Sequence, residues 1–98
     1  MYELRIYTIK PNKLNELMKL WGQNYKYIKK YFDCRGIWTS DSGTLNQVYH
    51  IYKWKNYNQR SSQKKKFADN VKMKKYVKTV KNLYLKQENI FLNSVDFL

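Results

Sequence analysis

The chain has 98 residues, of which 43% are hydrophobic and 17% aromatic, and 20 basic against 7 acidic side chains give a net charge of +13. That is room for one domain spanning 1–98. It is too apolar for wholesale disorder, and no apolar run approaches the ~18 residues of a membrane span. The single cysteine, Cys34, excludes an intrachain disulfide and fits a reducing compartment.

Residues 2–9 alternate, with Leu4, Ile6 and Thr8 on one face and Glu3, Arg5 and Tyr7 on the other, which predicts a first strand. Strand pattern begins at once with no signal or transit pattern ahead of it, so a cytoplasmic location is expected. Pro11-Asn12 breaks the strand. From Lys13 to Phe32 the period becomes helical. Leu14, Leu17, Met18, Trp21, Tyr25, Ile28 and Phe32 form one stripe, and lysines gather in the last turns, where the helix dipole favours cations.

Residues 34–41 predict a second strand, Asp41-Ser42-Gly43-Thr44 a turn, and residues 46–54 a third strand rich in β-branched and aromatic side chains. Residues 55–67 are polar and basic and suit a short helix or a mobile segment. Val71, Met73, Tyr76, Val77, Val80, Leu83 and Tyr84 then trace a second amphipathic helix, with Asp69 or Asn70 as its cap. A last strand runs near 85–92. The order β-α-β-β-α-β is the split βαβ arrangement of an α+β, ferredoxin-like fold. Two helices would cover one face of a four-stranded antiparallel sheet. The other face is too apolar to stay wet, which predicts a homodimer with the two open faces together.

Three stretches resemble the NIPSNAP family. They are Tyr2-Glu3-Leu4-Arg5-Ile6-Tyr7-Thr8 with Pro11; Gly36-Ile37-Trp38-Thr39 through Gly43-Thr44-Leu45-Asn46-Gln47-Val48-Tyr49-His50-Ile51-Tyr52-Lys53-Trp54; and Gln87-Glu88-Asn89. Their order and spacing cover nearly the whole chain, and the Gly-x-Leu-Asn-Gln-Val-x-His core is the most specific part. Asn12 stands where the family commonly has glycine. The resemblance implies a dimeric α/β barrel of ferredoxin-like subunits with a pocket between sheet and helices. It implies no defined reaction. Eukaryotic members suggest mitochondrial and vesicle-related roles, and the wider superfamily includes small monooxygenases and haem-degrading enzymes. Two alternatives to ligand binding therefore stand beside it: a non-enzymatic interaction module and a cofactor-free, monooxygenase-like enzyme.

Alternation on the third strand puts Asn46, Val48, His50, Tyr52 and Trp54 on one face. If that face meets the Glu3-Arg5-Tyr7 face of the first strand, a pocket gains an acid, a guanidinium, a phenol and an imidazole. Such a set orients an anionic or carbonyl-bearing ligand, with His50 available for proton transfer. The candidate ligand-binding residues are Arg5, Tyr7, Trp38, Asn46, His50, Trp54 and Glu88, with Trp38 and Trp54 as aromatic walls and Glu88 as an ion-pair partner for Arg5. The same residues also read as structural, and no catalytic residue is assigned.

One histidine, one cysteine and no spaced carboxylate cluster make no metal site, and Gly22, Gly36 and Gly43 are isolated, so no phosphate-cradling loop exists. No cofactor is expected, although a haem would most naturally take His50. From Lys55 to Lys81 ten Lys or Arg residues face one acid, Asp69. With no base-reading motif, that segment predicts at most non-specific polyanion binding. Lysine, asparagine and tyrosine all have AT-rich codons, so the charge also reads as genome composition.

Overall fold

The computed structural model describes residues 1–97. The elements are β1 (Tyr2–Ile9), α1 (Leu14–Ile28), β2 (Asp33–Thr39), β3 (Gln47–Lys53), α2 (Tyr57–Asp69), α3 (Val71–Lys81) and β4 (Tyr84–Leu92). The four strands form one antiparallel sheet in the order β2-β3-β1-β4. This is the ferredoxin-like order expected from the sequence, with one difference: the second crossover is made of two helices.

Three local features explain the element boundaries. Asn12 adopts a left-handed backbone with φ 62°, which asparagine tolerates better than most side chains and glycine adopts freely. The predicted first helix stops at Ile28, and the chain tightens into a turn where Lys30 N–H donates to Tyr27 O and Tyr31 N–H to Ile28 O. Between α2 and α3 the cap is Asn70, whose extended backbone ends α2. Its side-chain oxygen accepts from Met73 N–H, and its amide donates to the Tyr31 hydroxyl at 3.1 Å. Asp69 is the last residue of α2.

The segment 55–67 is ordered almost entirely as α2, capped by Asn56, which accepts from Gln59 N–H at 2.8 Å. The helix has no buried residue of its own. Its half-buried Phe67 packs at a tilt against Phe32, with ring centroids 4.8 Å apart.

The core lies between the helices and one face of the sheet. Tyr7, Ile9, Val48, Tyr52 and Trp54 come from β1, β3 and the residue after β3. Leu17 and Ile28 come from α1, and Met73, Tyr76 and Val80 from α3. Strand β1 alternates strictly, and its buried members are Glu3, Arg5, Tyr7 and Ile9. The more polar side of the strand therefore faces the helices.

The register places Leu4, Ile6, Tyr49, Ile51, Trp38 and Ile90 on the opposite face. There Trp38 is 53% exposed and Ile90 45%. Among the described residues, no helix is long and apolar enough to cross a membrane.

Candidate functional site

Arg5 and His50 are directly opposed across β1 and β3, as the strand alternation anticipates. Both are buried, under the helices. Behind Arg5 sits Glu3, a fully buried carboxylate. Arg60 of α2 grips it in a fork, donating from Nε to Oε1 and from Nη2 to Oε2, each at 3.0 Å. Trp54 Nε1–H donates to Oε1 at 3.0 Å, Arg5 Nη2 to Oε1 at 3.3 Å, and the Asn89 amide to Oε2. Burial alone would push this carboxyl up. The hydrogen bond from Arg60 and the charge and hydrogen bonds of Arg5 and Asn89 override it, and its pKa falls to about 2.

Two guanidiniums thus share one carboxylate, which leaves one positive charge unbalanced. Arg5 carries most of the consequence. Its Nε lies 3.2 Å from Glu3 Oε2, yet the N–H is not aligned with that oxygen and has no hydrogen-bond acceptor among the described residues. The guanidinium carbon rests 4.6 Å from the centre of the Tyr52 ring and 5.5 Å from that of Phe32.

His50 is enclosed by aromatic rings, with centroids 4.7 Å away at Trp21 and 5.0 Å at Tyr7. Its Nδ1 lies 2.8 Å from the Tyr52 hydroxyl. A phenol is the better donor and an imidazole nitrogen the better acceptor, so the stronger arrangement has Tyr52 donating and leaves the hydrogen on Nε2. Burial first, and the Arg5 charge second, lower the His50 pKa from 6.5 to about 3. The imidazole is therefore neutral near pH 7. This differs from the expected proton carrier: in the free protein His50 is a hydrogen-bonding group and a weak base.

These side chains border a cavity of about 530 Å³ between the sheet and the helices, within the range of small-ligand sites. Arg5, Tyr7 and His50 line it, as the sequence suggests. Trp21 of α1, Tyr76 and Val80 of α3, and Tyr84 and Gln87 of β4 complete the wall. Burial, then the neighbouring Tyr7, raises the Tyr76 and Tyr84 hydroxyls above their ordinary value, so both are neutral donors.

Four of the proposed residues lie elsewhere. Trp54 is buried at the Glu3 carboxylate and does not line the cavity. Trp38 is on the open face, its ring lying over Gly36. Asn46 is exposed in the turn before β3 with φ 58°, where its carbonyl accepts from Ile9 N–H. Glu88 pairs in register with Ile6, so it faces away from Arg5 and forms an ion pair with Lys86 at 3.1 Å. Its neighbours Gln87 and Asn89 point to the helix side instead.

Arg60 is absent from the sequence-based site. One signal marks it: only Arg5, Arg35 and Arg60 are arginines among 20 basic residues, and a forked contact to a buried carboxylate is a task lysine cannot perform.

Glu3→Gln removes the charge shared by two guanidiniums. It should lower unfolding stability by roughly 3–5 kcal/mol in urea titrations, against less than ~0.5 kcal/mol for the exposed Glu16→Gln. A second outcome concerns acid. Below 6.5 the unfolded chain binds a proton on His50 that the folded chain does not, down to about 3. Stability should therefore fall as pH drops through this window. The groups around His50 are Arg5 and Tyr7 of β1, Tyr52 of β3 and Trp21 of α1. Unfolding measured between pH 7 and about 5.5 should show a slope that His50→Phe largely removes, because unfolded Glu3, with its ordinary value of 4.5, binds little proton in that range.

Comparison with known proteins agrees with this architecture. The NIPSNAP family model matches residues 2–98. The chain is 32% identical over 68 residues to human Protein NipSnap homolog 3A, which covers 68% of this chain and 28% of the human protein. The mouse Protein NipSnap homolog 3B matches at the same identity. The chain thus spans a little over a quarter of the length of these curated relatives.

Among solved structures, a NIPSNAP domain protein from Burkholderia xenovorans is 30% identical with a TM-score of 0.92, covering 99% of this chain and 96% of that one. A NIPSNAP family protein from Agrobacterium tumefaciens is 26% identical, also with a TM-score of 0.92, covering 98% and 93%. An antibiotic biosynthesis monooxygenase shares the fold at a TM-score of 0.71 and 10% identity, covering 97% of this chain and 99% of that one. With a family model matched over residues 2–98, and solved members superposing over nearly the whole chain at a TM-score of 0.92, the chain belongs to the NIPSNAP family.

Proposed function

We propose that the protein is a homodimeric small-ligand-binding protein whose cavity takes a molecule with an anionic or carbonyl oxygen directed at Arg5 and His50. The observation that carries this reading is the unbalanced guanidinium of Arg5 beside a neutral imidazole, both on the wall of a cavity of about 530 Å³. A buried positive charge shared with another guanidinium over one carboxylate is costly in an aromatic pocket, and an incoming anionic or carbonyl oxygen offsets that cost. The neutral His50 supports holding and orienting a ligand over proton transfer. The single cysteine, whose thiol burial pushes up and so away from reactivity, fits a cytoplasmic setting.

The dimer reading rests on the open sheet face. Leu4, Ile6, Tyr49, Ile51, Trp38 and Ile90 form an apolar surface with no helix over it among the described residues. Lys86 and Glu88 carry both signs beside it, so a second copy related by a two-fold axis meets both apolar and opposite-charge partners. Sedimentation should give a mass near 24 kDa, twice the 12.1 kDa chain. Ile51→Glu should weaken association by at least ~100-fold, because it buries a charge without a partner. A monomer at micromolar concentration would count against the dimer and leave the cavity untouched.

The site is tested by ligand-observed NMR with a panel of small carboxylates and ketones. Binders should lose their signal with Val77→Trp, which fills the cavity from a half-buried position on α3. They should weaken roughly tenfold with His50→Phe, which removes one hydrogen bond to a charged or polar oxygen. Binding that survives both substitutions would rule out this cavity as the site.

A further inference from the structure

The cavity has an uneven rim. Lys74, Lys78 and Lys81 of α3 line it and are exposed, so they stand at its mouth, and Lys64 of α2 joins them. The spacing of 4 and 3 puts the α3 lysines on one stripe beside the buried Met73, Tyr76 and Val80. No aspartate or glutamate lines the cavity, and none of the four rim lysines has a salt bridge among the described residues. The α1 side of the wall, by contrast, supplies Trp21 and Ile28.

We infer that the ligand is an amphipathic anion, with an apolar or aromatic body among Trp21, Phe32, Tyr76 and Tyr84 and a carboxylate or phosphate head at Lys74, Lys78 and Lys81. This rests on the ligand-binding reading above: the oxygen directed at Arg5 and His50 belongs to the body of the ligand, and the charged head is a second group, at the mouth. Four ammonium groups border one opening that has no acidic side chain in its lining, so an anion seated there meets positive charge alone. Solvated lysines elsewhere on the same helices provide the contrast. Lys65, Lys66 and Lys75 are exposed and do not border the cavity.

The test uses two dyes that differ only in a charge: anilinonaphthalene sulfonate and N-phenylnaphthylamine, the same body without the sulfonate. Enhancement of each dye's own emission, excited directly, reports binding, and Val77→Trp separates the cavity from other surfaces. The sulfonate should bind at least about tenfold more tightly than the neutral dye. K74Q/K78Q/K81Q should weaken it roughly tenfold, while K65Q/K66Q/K75Q leaves it within about twofold. Both triple variants lower the net charge from +13 to +10 (13 − 3), so general attraction cannot separate them. Octanoate and octyl phosphate, run as competitors, distinguish a carboxylate from a phosphate head, and octanol should fail to compete. Equal binding of the two dyes, equal losses in the two triple variants, or displacement by octanol overturns the inference while leaving a cavity that takes neutral ligands. Dye binding indifferent to Val77→Trp removes the cavity itself as the site.

Discussion

One buried carboxylate organises this molecule. Glu3 receives hydrogen bonds from Arg5 on its own strand, Trp54 after β3, Arg60 on α2 and Asn89 on β4. A charge in such a place is tolerable only when its lone pairs are filled, and here they are filled from several elements at once. The arrangement fixes those elements relative to each other. It matters most for α2, which has no buried residue and too weak an apolar face to dock by packing alone. That helix is held by Arg60 on Glu3, by Gln63 Nε2 donating to Tyr31 O, and by Phe67 on Phe32.

The electrostatics of the cavity follow from the same group. One carboxylate cannot neutralise two guanidiniums, so a positive charge remains at the head of the pocket. That charge, after burial itself, keeps His50 neutral. Phenols then supply the remaining polar surface without adding charge, which suits tyrosine: its ring fills apolar space and its hydroxyl stays available. The pocket is therefore positive and aromatic with neutral hydrogen-bonding groups, the features on which the proposed ligand class rests.

The sheet separates two tasks by alternation. Odd positions of β1 and even positions of β3 face the helices and form the cavity floor, while their neighbours form the open apolar face. A one-residue slip would exchange the two sets. Glu3 counters such a slip, because displacing it to the open face would leave Arg60 buried without a partner.

Much of this was legible in the residues. The strand periods, the α1 stripe, the turn at Asp41-Ser42-Gly43-Thr44 and the opposition of Arg5 to His50 all follow from spacing, since alternation fixes which side chains share a face. The identity of α2 was not legible, because a helix held by polar contacts carries no apolar period. Trp38 and Glu88 were misplaced for a related reason: face assignment on β2 and β4 depends on register, which is set by the bulge between Cys34 and Gly36 and by the shift between Thr8 and Ile9. Asn46 falls in a turn because its left-handed backbone ends the strand pattern one residue early. The number, kind and order of most elements and the two faces of β1 and β3 are local periodicities, readable from residue spacing. That Arg60 shares Glu3 with Arg5, that His50 is neutral, and that lysines of α3 border the cavity mouth emerge only in the folded chain. Each of those depends on distances between segments far apart in the chain, and electrostatics and burial are properties of such distances.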